Sequence, residues 1–365
     1  MASRIARLIE FGQSPWYDNL TRAYARGGLR TFIDEHGIRG VTSNPTILEK
    51  AMAAGDDYDE QLREVLATGA NAEDAYWKLV MDDIARAADI FRPEFEKWNG
   101  SDGFVSLEVN PDLAPDAHQT AAQARDLFHD LGRPNVMIKI PATVEGLPAI
   151  TESIAAGINV NVTLIFSLER HEAVIDAYLA GLEQRVGRGE DVRSISSVAS
   201  FFVSRVDTET DRRLPEGHPL RGTAAVANAK LAYELFQRRF GDERWKKLAA
   251  AGARVQRPLW ASTSTKNPAY SPTLYVDELI GPDTVNTLAQ ASIDALAEGQ
   301  GTQRAGTVME NVEGAHEVMR GLADAGIDFD DVTATLEREG VEAFSASYHD
   351  ALDTLEKKAR EIRER

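Results

Sequence analysis

The chain has 365 residues, a formal net charge of −18 and no cysteine. The absence of cysteine excludes disulfides, thiolate nucleophiles and cysteine-ligated metals. So acidic a surface is expected to repel nucleic acid and anionic lipid, which disfavours both as partners. The opening segment has no apolar core of signal-peptide length, and no apolar run reaches the roughly 18 residues of a membrane span. A soluble cytoplasmic protein is therefore expected.

Short β-branched runs alternate with longer segments of helical period along most of the chain. This alternation predicts parallel strands joined by right-handed crossovers, and the number of runs favours an eight-stranded (β/α) barrel. The first predicted turn lacks the glycine motif of a dinucleotide-binding fold. Seven predicted strands fall within 37–45, 103–111, 135–143, 158–167, 196–207, 257–265 and 283–288, and the stretch before Trp16 supplies an eighth.

Helical periodicity predicts the segments between the strands and the C-terminal extension. A catalytic barrel is expected over residues 1–300, with 301–365 forming additional helices packed on it. Residues 208–221 contain two prolines and predict a polar loop after the sixth strand. The predicted helices are 47–68, 72–97, 116–131, 147–156, 168–187, 222–240 and 287–297.

One strand, "NVMIKIPAT" at 135–143, carries a lysine at position 139 among apolar residues. A buried ammonium costs several kcal/mol unless it is paired or loses its proton. The two-residue strand period places Lys139 on the face opposite Ile138 and Ile140, and that face is expected to point into the barrel. Two interpretations follow: a structural ion pair with Glu108, or a lysine whose desolvation gives the neutral amine that attacks a carbonyl.

Polar residues recur inside or at the end of nearly every predicted strand. An imperfectly satisfied buried polar group costs about 1–3 kcal/mol, so one shared site at the barrel mouth explains the pattern better than independent placements. The seven histidines form no HExxH motif and no i,i+4 pair, so no metal is expected. The polar positions are Thr42, Ser43, Asn44, Glu108, Asn110, Lys139, Asn159, Asn161, Thr163, Ser200, Arg205 and 262–266.

Four of these segments resemble the motifs of the transaldolase family, in the family's order. They are "GVTSNPTIL", "VMIKIPAT", "INVNVTLIFS" and "VASFFVSRVD", and the resemblance spans about residues 15 to 290. The length and "PLWASTSTKNPAY" resemble the longer bacterial subfamily. The resemblance implies cofactor-independent transfer of a dihydroxyacetone unit between sugar phosphates in the non-oxidative pentose phosphate pathway, by a monomer or homodimer.

The resemblance also implies roles for individual residues. Lys139 corresponds to the Schiff-base lysine, Glu108 and Thr163 to the residues that activate and hold a catalytic water, and Asp18 to the acid/base that acts on the C4 hydroxyl. Arg205 corresponds to the main phosphate cation. The remaining implied binding residues are Thr42, Asn44, Asn161, Ser200 and Phe202.

The seventh strand departs from the family pattern. Where many members have Ala-Ser-x-Arg-Asn, this chain has "ASTSTKN", two residues longer. Ser262 matches the serine, and Lys266 or Ser264 is expected to replace the arginine at the phosphate. Two alternatives to transfer remain open: a fructose 6-phosphate aldolase-like enzyme that releases dihydroxyacetone, and a non-catalytic sugar-phosphate-binding barrel.

Overall fold

Eight parallel strands close into a barrel in chain order in the computed structural model, which describes residues 3–364. This confirms the predicted (β/α)8 architecture, including the eighth strand before Asp18. The strands are β1 Gln13–Tyr17, β2 Gly40–Thr42, β3 Phe104–Glu108, β4 Val136–Pro141, β5 Val160–Ile165, β6 Ser197–Phe202, β7 Gln256–Ala261 and β8 Thr284–Leu288.

Helices surround the barrel, and two of them, at 72–97 and 168–187, coincide with their predicted bounds. The predicted helix 47–68 is instead two helices, because Gly55 at φ 115° interrupts the helical backbone. The helices are α1 Arg4–Glu10, α2 Leu29–His36, α3 Pro45–Ala53, α4 Asp59–Ala67, α5 Ala72–Lys97, α6 Ala117–Leu131, α7 Gly146–Ala155, α8 Leu168–Gly187, α9 Ser204–Arg213, α10 Ala224–Arg239, α11 Glu243–Ala250, α12 Leu274–Glu278, α13 Gln290–Ala297, α14 Val312–Asp324 and α15 Phe329–Glu364, with short turns of π or 3₁₀ helix at Tyr24–Gly28, Pro111–Leu113 and Thr307–Met309.

The sixth strand ends earlier than predicted. It stops at Phe202, and α9 begins at Ser204, so the predicted polar loop over 208–221 is helical up to Arg213. Glu209 pairs with Arg212 at 2.6 Å and with Arg213 at 2.8 Å, spacings that stabilise a helix. Arg205 consequently lies in the first turn of α9 and not on a strand.

The strand register brings the polar positions to one level of the barrel. Glu108 is the register partner of Lys139, and Lys139 is the partner of Asn161 on the next strand. Ile138 and Ile140 are fully buried on the opposite face, toward the helices. Side chains on neighbouring strands that share a register and a face lie next to each other, so the hydrogen bonding of the sheet positions the site.

The C-terminal helix α15 crosses the end of the barrel at which the strands terminate. Its 36 residues correspond to about 54 Å of helix. Polar contacts fix it to segments that follow different strands: the Thr46 and Ser347 hydroxyls are 2.7 Å apart, and Arg213 pairs with Asp331 at 2.6 Å. The last helix therefore forms a cover over the C-terminal ends of the strands.

A buried carboxyl on α9 predicts a pH dependence of stability. Asp207 accepts hydrogen bonds of 2.7 Å from the Tyr275 hydroxyl and from the Ala225 amide, and burial raises its pKa to about 6. The folded state holds this proton more tightly than the unfolded state does. The contribution of Asp207 to the free energy of unfolding is therefore greatest below about pH 4, and it falls by about 3 kcal/mol as the pH rises through 6.

Asp207→Asn keeps the shape and hydrogen-bonding capacity of the side chain but does not titrate. Urea unfolding at pH 4.5 and at pH 7.5 is expected to show a wild type that loses more stability over this interval than the variant does. Identical pH dependence in the two proteins would show that Asp207 does not carry this effect.

Candidate active site

A cavity of about 80 Å³ opens at the C-terminal ends of the strands. Most of the sequence-predicted residues line it, although they come from six different segments of the chain. The predicted residues at its wall are Asp18, Thr42, Asn44, Lys139, Asn161, Thr163, Ser200, Phe202, Arg205 and Ser262, joined by Leu259, Ala261, Thr287 and Phe344. The predicted concentration of polar residues at one mouth is therefore observed.

Lys139 lies at the base of this cavity, 6% exposed. Its Nζ donates to Glu108 Oε2 at 3.1 Å and to the Ser43 carbonyl oxygen at 3.0 Å. Burial raises the pKa of the Glu108 carboxyl, and the positive charge of Lys139 opposes that rise. The Lys139 amine thus faces a cavity and has beside it a carboxyl that can exchange protons with it. A structural ion pair enclosed on all sides would have no such access to a ligand.

Asp18 is a second carboxyl at the cavity wall, directly after β1. The Thr42 hydroxyl donates to its Oδ1 at 2.7 Å. Burial raises the pKa of Asp18, while the Thr42 hydrogen bond and the charges of Lys139 and Arg205 oppose the rise. A carboxyl that binds its proton more tightly than usual is suited to exchange it with a substrate hydroxyl.

Two asparagine amides at the cavity wall are held in place by hydrogen bonds to neighbouring residues. The Asn44 Oδ1 caps α3 by accepting from the Ile47 amide at 3.0 Å, so its Nδ2 remains to serve the cavity. Asn161 donates to the Ser106 hydroxyl at 3.1 Å and accepts from the Ser200 hydroxyl at 2.6 Å. These contacts fix the rotamers of amides that can bind neutral hydroxyls.

Thr163 stands in an irregular part of β5. Its buried hydroxyl makes no hydrogen bond to any group in the part of the chain that the structure describes. The following residue, Leu164, has a φ of 61°, and the pairing with β6 shifts register between Val162 and Ile165. Such irregularities redirect side chains at functional sites, and this one leaves the Thr163 hydroxyl available at the cavity wall.

A cationic corner forms where β6 and β7 end. The Arg205 guanidinium carbon lies 5.1 Å from the centre of the Phe202 ring, and burial lowers the pKa of Arg205. Ser262 has a φ of 55°, and its hydroxyl lies 3.0 Å from that of Ser204. These residues place a cation and hydroxyls at the side of the cavity away from Glu108.

Three residues with an implied role do not line the cavity itself, and neither do the polar positions Ser43, Asn110, Asn159, Thr263 and Thr265. Glu108 lies behind Lys139, while Ser264 and Lys266 lie at the rim, where Lys266 Nζ donates to the Ser264 hydroxyl at 2.9 Å. Burial and the charge of Arg205 lower the pKa of Lys266, which places this second cation near the first. The longer loop thus brings Lys266 to the same corner as Arg205.

The sequence analysis missed Phe344 and Thr287. Phe344 belongs to α15, and the centre of its ring lies 5.9 Å from Lys139 Nζ. Its helical spacing marks it only as a residue on an apolar helix face, so no sequence signal separates it from ordinary core residues. Thr287 is a polar residue on the inward face of β8. The pattern that identified polar residues on the other strands could have identified it too.

Two general properties of the described residues bear on the kind of site. No helix among them is long and apolar enough to cross a membrane. Within the same residues, no three side chains of His, Asp or Glu come together in a group that could hold a metal ion.

A parallel barrel with a buried lysine beside two carboxyls at its C-terminal mouth defines an enzyme of the Schiff-base aldolase class. Residues 15–355 match the model of the family described as Transaldolase/Fructose-6-phosphate aldolase. The chain belongs to this family.

Curated relatives of the same length agree with this assignment. The chain is 52% identical to a transaldolase of Saccharopolyspora erythraea over 360 residues, which cover 97% of each protein. It is 50% identical to a transaldolase of Thermobifida fusca, over 97% of this chain and 98% of the relative. A transaldolase of Mycolicibacterium smegmatis is 48% identical over 96% of both chains. The similarity therefore includes the barrel and the C-terminal helices alike.

Proposed function

We propose that this protein is a transaldolase that moves a dihydroxyacetone unit from sedoheptulose 7-phosphate to glyceraldehyde 3-phosphate, giving erythrose 4-phosphate and fructose 6-phosphate. The observation that carries the proposal is Lys139, buried at the base of a polar cavity and 3.1 Å from Glu108. The family and its full-length transaldolase relatives support the reaction type. Sugar phosphates are the proposed partners, and the chemistry requires no cofactor.

Lys139 acts as the nucleophile. Its neutral amine attacks the donor carbonyl, the carbinolamine loses water, and the resulting iminium accepts the electron pair of the breaking C–C bond. Glu108, within hydrogen-bonding distance of the amine, exchanges the protons of these steps through a water that the Thr163 hydroxyl holds. This role gives the otherwise unpaired Thr163 hydroxyl a function.

The remaining cavity residues align the substrate with the Lys139 amine. Asp18 removes the proton of the C4 hydroxyl during C–C cleavage and returns it when the acceptor aldehyde adds. Asn44 and Asn161 bind hydroxyls of the three-carbon unit, supported by Thr42 and Ser200. Phe202 provides an apolar wall. Such positioning converts the reaction with the acceptor into a step between aligned groups.

The phosphate of the substrate binds at the cationic corner. Arg205 is its main partner, because a guanidinium can bind two phosphate oxygens at once. Ser262, Ser264 and Lys266 complete the site from the longer loop after β7. The protein has a net charge of −18, so this local pair of cations is needed to bring an anionic substrate to the mouth.

Removing the Arg205 cation is expected to weaken substrate binding. For Arg205→Leu, we expect the KM for fructose 6-phosphate to rise about 100-fold, corresponding to the loss of about 3 kcal/mol of charged hydrogen bonding. Lys266→Gln, at the exposed rim, is expected to have a smaller effect. Steady-state kinetics with fructose 6-phosphate and with unphosphorylated fructose would separate phosphate binding from chemistry. An equal loss for both sugars would contradict the assignment.

One assay separates transfer from its two alternatives. Fructose 6-phosphate with erythrose 4-phosphate should yield sedoheptulose 7-phosphate, whereas fructose 6-phosphate alone should yield little dihydroxyacetone. Many turnovers of dihydroxyacetone without acceptor would identify an aldolase-like enzyme. A folded protein that turns over neither mixture, and that borohydride does not link to fructose 6-phosphate, would be a binding protein.

A further inference from the structure

Phe344 separates the catalytic cavity from a larger space outside it. The ring is 4% exposed and lines both the catalytic cavity and a gap of about 10 Å³ behind Glu108. That gap shares Ala114 and Val341 with an outer cleft of about 630 Å³ between α15 and the loops after β3, β4 and β5. Phe344 and Val341, three residues apart on α15, therefore lie between the outer cleft and Lys139.

The gap is at the limit of what water can occupy. One water needs about 10–15 Å³ of such space, so the gap holds at most a single molecule, while the outer cleft is wide enough for many. The cleft is also polar, with Glu145, Glu169, Glu337 and Arg170 among its lining residues. Phe344 and Val341 thus lie between this wide, hydrated cleft and the catalytic cavity, with only the small gap beside them.

At the irregular part of β5, a glycine of α15 allows the helix to pack close to Leu164. A Cβ added at Gly340 would lie 2.9 Å from Leu164 Cδ2, so a larger residue there would require the Leu164 side chain to shift. Leu164, whose φ is 61°, lines the same gap as Phe344. Gly340 thus packs against Leu164, and Leu164 and Phe344 line one gap beside the catalytic cavity.

We infer that Phe344, backed by Val341, blocks the entry of further water from the outer cleft to the three-carbon intermediate on Lys139 and thereby favours transfer over release. This inference rests on the proposed function. After C–C cleavage the intermediate is an enamine, which has two fates: it attacks the acceptor aldehyde, or its nucleophilic carbon takes a proton from water. In the second case water then adds to the iminium carbon, the C–N bond breaks, and dihydroxyacetone and the free amine of Lys139 are released. Phe344 is a positioning residue in this account, since it acts by controlling access.

The test compares Phe344→Ala and Phe344→Leu with the wild type and with Phe329→Ala. Phe329 is a half-buried phenylalanine at the start of the same helix, outside the cavities described, so its replacement loosens the helix without changing the lining of either cavity. Each protein is assayed for transfer from fructose 6-phosphate to erythrose 4-phosphate and for dihydroxyacetone release without acceptor. Because water access to the enamine increases, we expect the ratio of release to transfer to rise at least about tenfold in Phe344→Ala and less in Phe344→Leu.

The ratio distinguishes exclusion of water from general stabilisation. A structural role would lower both rates together and leave the ratio unchanged, and this result in Phe344→Ala would overturn the inference. An equal rise in Phe329→Ala would overturn it too, because loosening α15 anywhere would then suffice. If Phe344→Ala does not fold, the ratio in Phe344→Leu decides alone. A wild type that does not transfer at all contradicts the proposed function, whereas a wild type that transfers with a ratio insensitive to Phe344 contradicts only this inference.

Discussion

Lys139→Ala is expected to abolish transfer and to remove the covalent adduct that borohydride forms with fructose 6-phosphate. Among residues 3–364, Lys139 is the only lysine that lines the catalytic cavity. The loss of rate should therefore be at least about 10⁴-fold, the size seen when a nucleophile is removed. Peptide mapping of the reduced wild-type adduct should locate the sugar on the peptide that contains Lys139. An adduct that persists in the variant would mean that another lysine is the nucleophile.

The same variant tests whether the Lys139–Glu108 pair is structural. Removing one partner of a buried ion pair usually destabilises a protein by about 3–5 kcal/mol, because a charge is left unpaired. Here burial already raises the pKa of Glu108, so that carboxyl can take a proton once the lysine is gone. We therefore expect thermal stability to be similar to the wild type or higher. A large loss of stability would favour the structural ion pair.

Lys230 offers a matched control within the chain. Like Lys139 it is 6% exposed, and its Nζ lies 3.0 Å from Glu278 and 3.1 Å from the Glu310 carbonyl oxygen. It lies on α10, away from the catalytic cavity. Lys230→Met is expected to keep the adduct and the transfer activity, which would show that burial and pairing alone do not make a lysine reactive.

The catalytic strand could be predicted because its residues obey a short-range rule. The two-residue period assigns Lys139 and Ile138 to opposite faces from sequence alone. Alternation of strands and helices then closes the barrel and turns one face inward. The adjacency of Glu108 and Lys139, which the sequence suggested, depends on register, and the register of consecutive parallel strands follows once the barrel is known.

Other parts of the site depend on contacts between distant segments, which no local pattern encodes. Phe344 reaches Lys139 only because α15 turns back over the mouth, and that path is set by contacts such as Thr46 with Ser347. The early end of β6 was missed because "SRVD" directly follows the apolar run "FFV" with no glycine or proline to mark the boundary, although its residues form the first turn of α9. The placement of Lys266 by the longer loop after β7 likewise could not be predicted, because it depends on the folded path of that loop.

Asp18→Asn is expected to separate carbon–carbon cleavage from formation of the Schiff base. The amide retains an oxygen that can accept the Thr42 hydrogen bond, which is 2.7 Å long in the wild type, but it cannot take up the proton of the C4 hydroxyl. Loss of a positioned acid/base lowers rates about 10²–10⁴-fold, so we expect kcat for transfer to fall in this range with a nearly unchanged KM. The borohydride adduct with fructose 6-phosphate should still form, because Glu108 serves the earlier steps.

Glu108→Gln supplies the complementary result. This variant should slow formation of the adduct itself, since proton exchange at Lys139 is impaired before any C–C bond breaks. The two carboxyls differ in their contacts: Glu108 accepts a hydrogen bond from the amine, whereas Asp18 accepts one from the Thr42 hydroxyl. If Asp18→Asn also prevented the adduct, both carboxyls would act at the nitrogen and the proposed division between them would be wrong. If it left transfer within about tenfold of the wild type, less than the loss expected for an acid/base, the C4 hydroxyl would have to exchange its proton with another group.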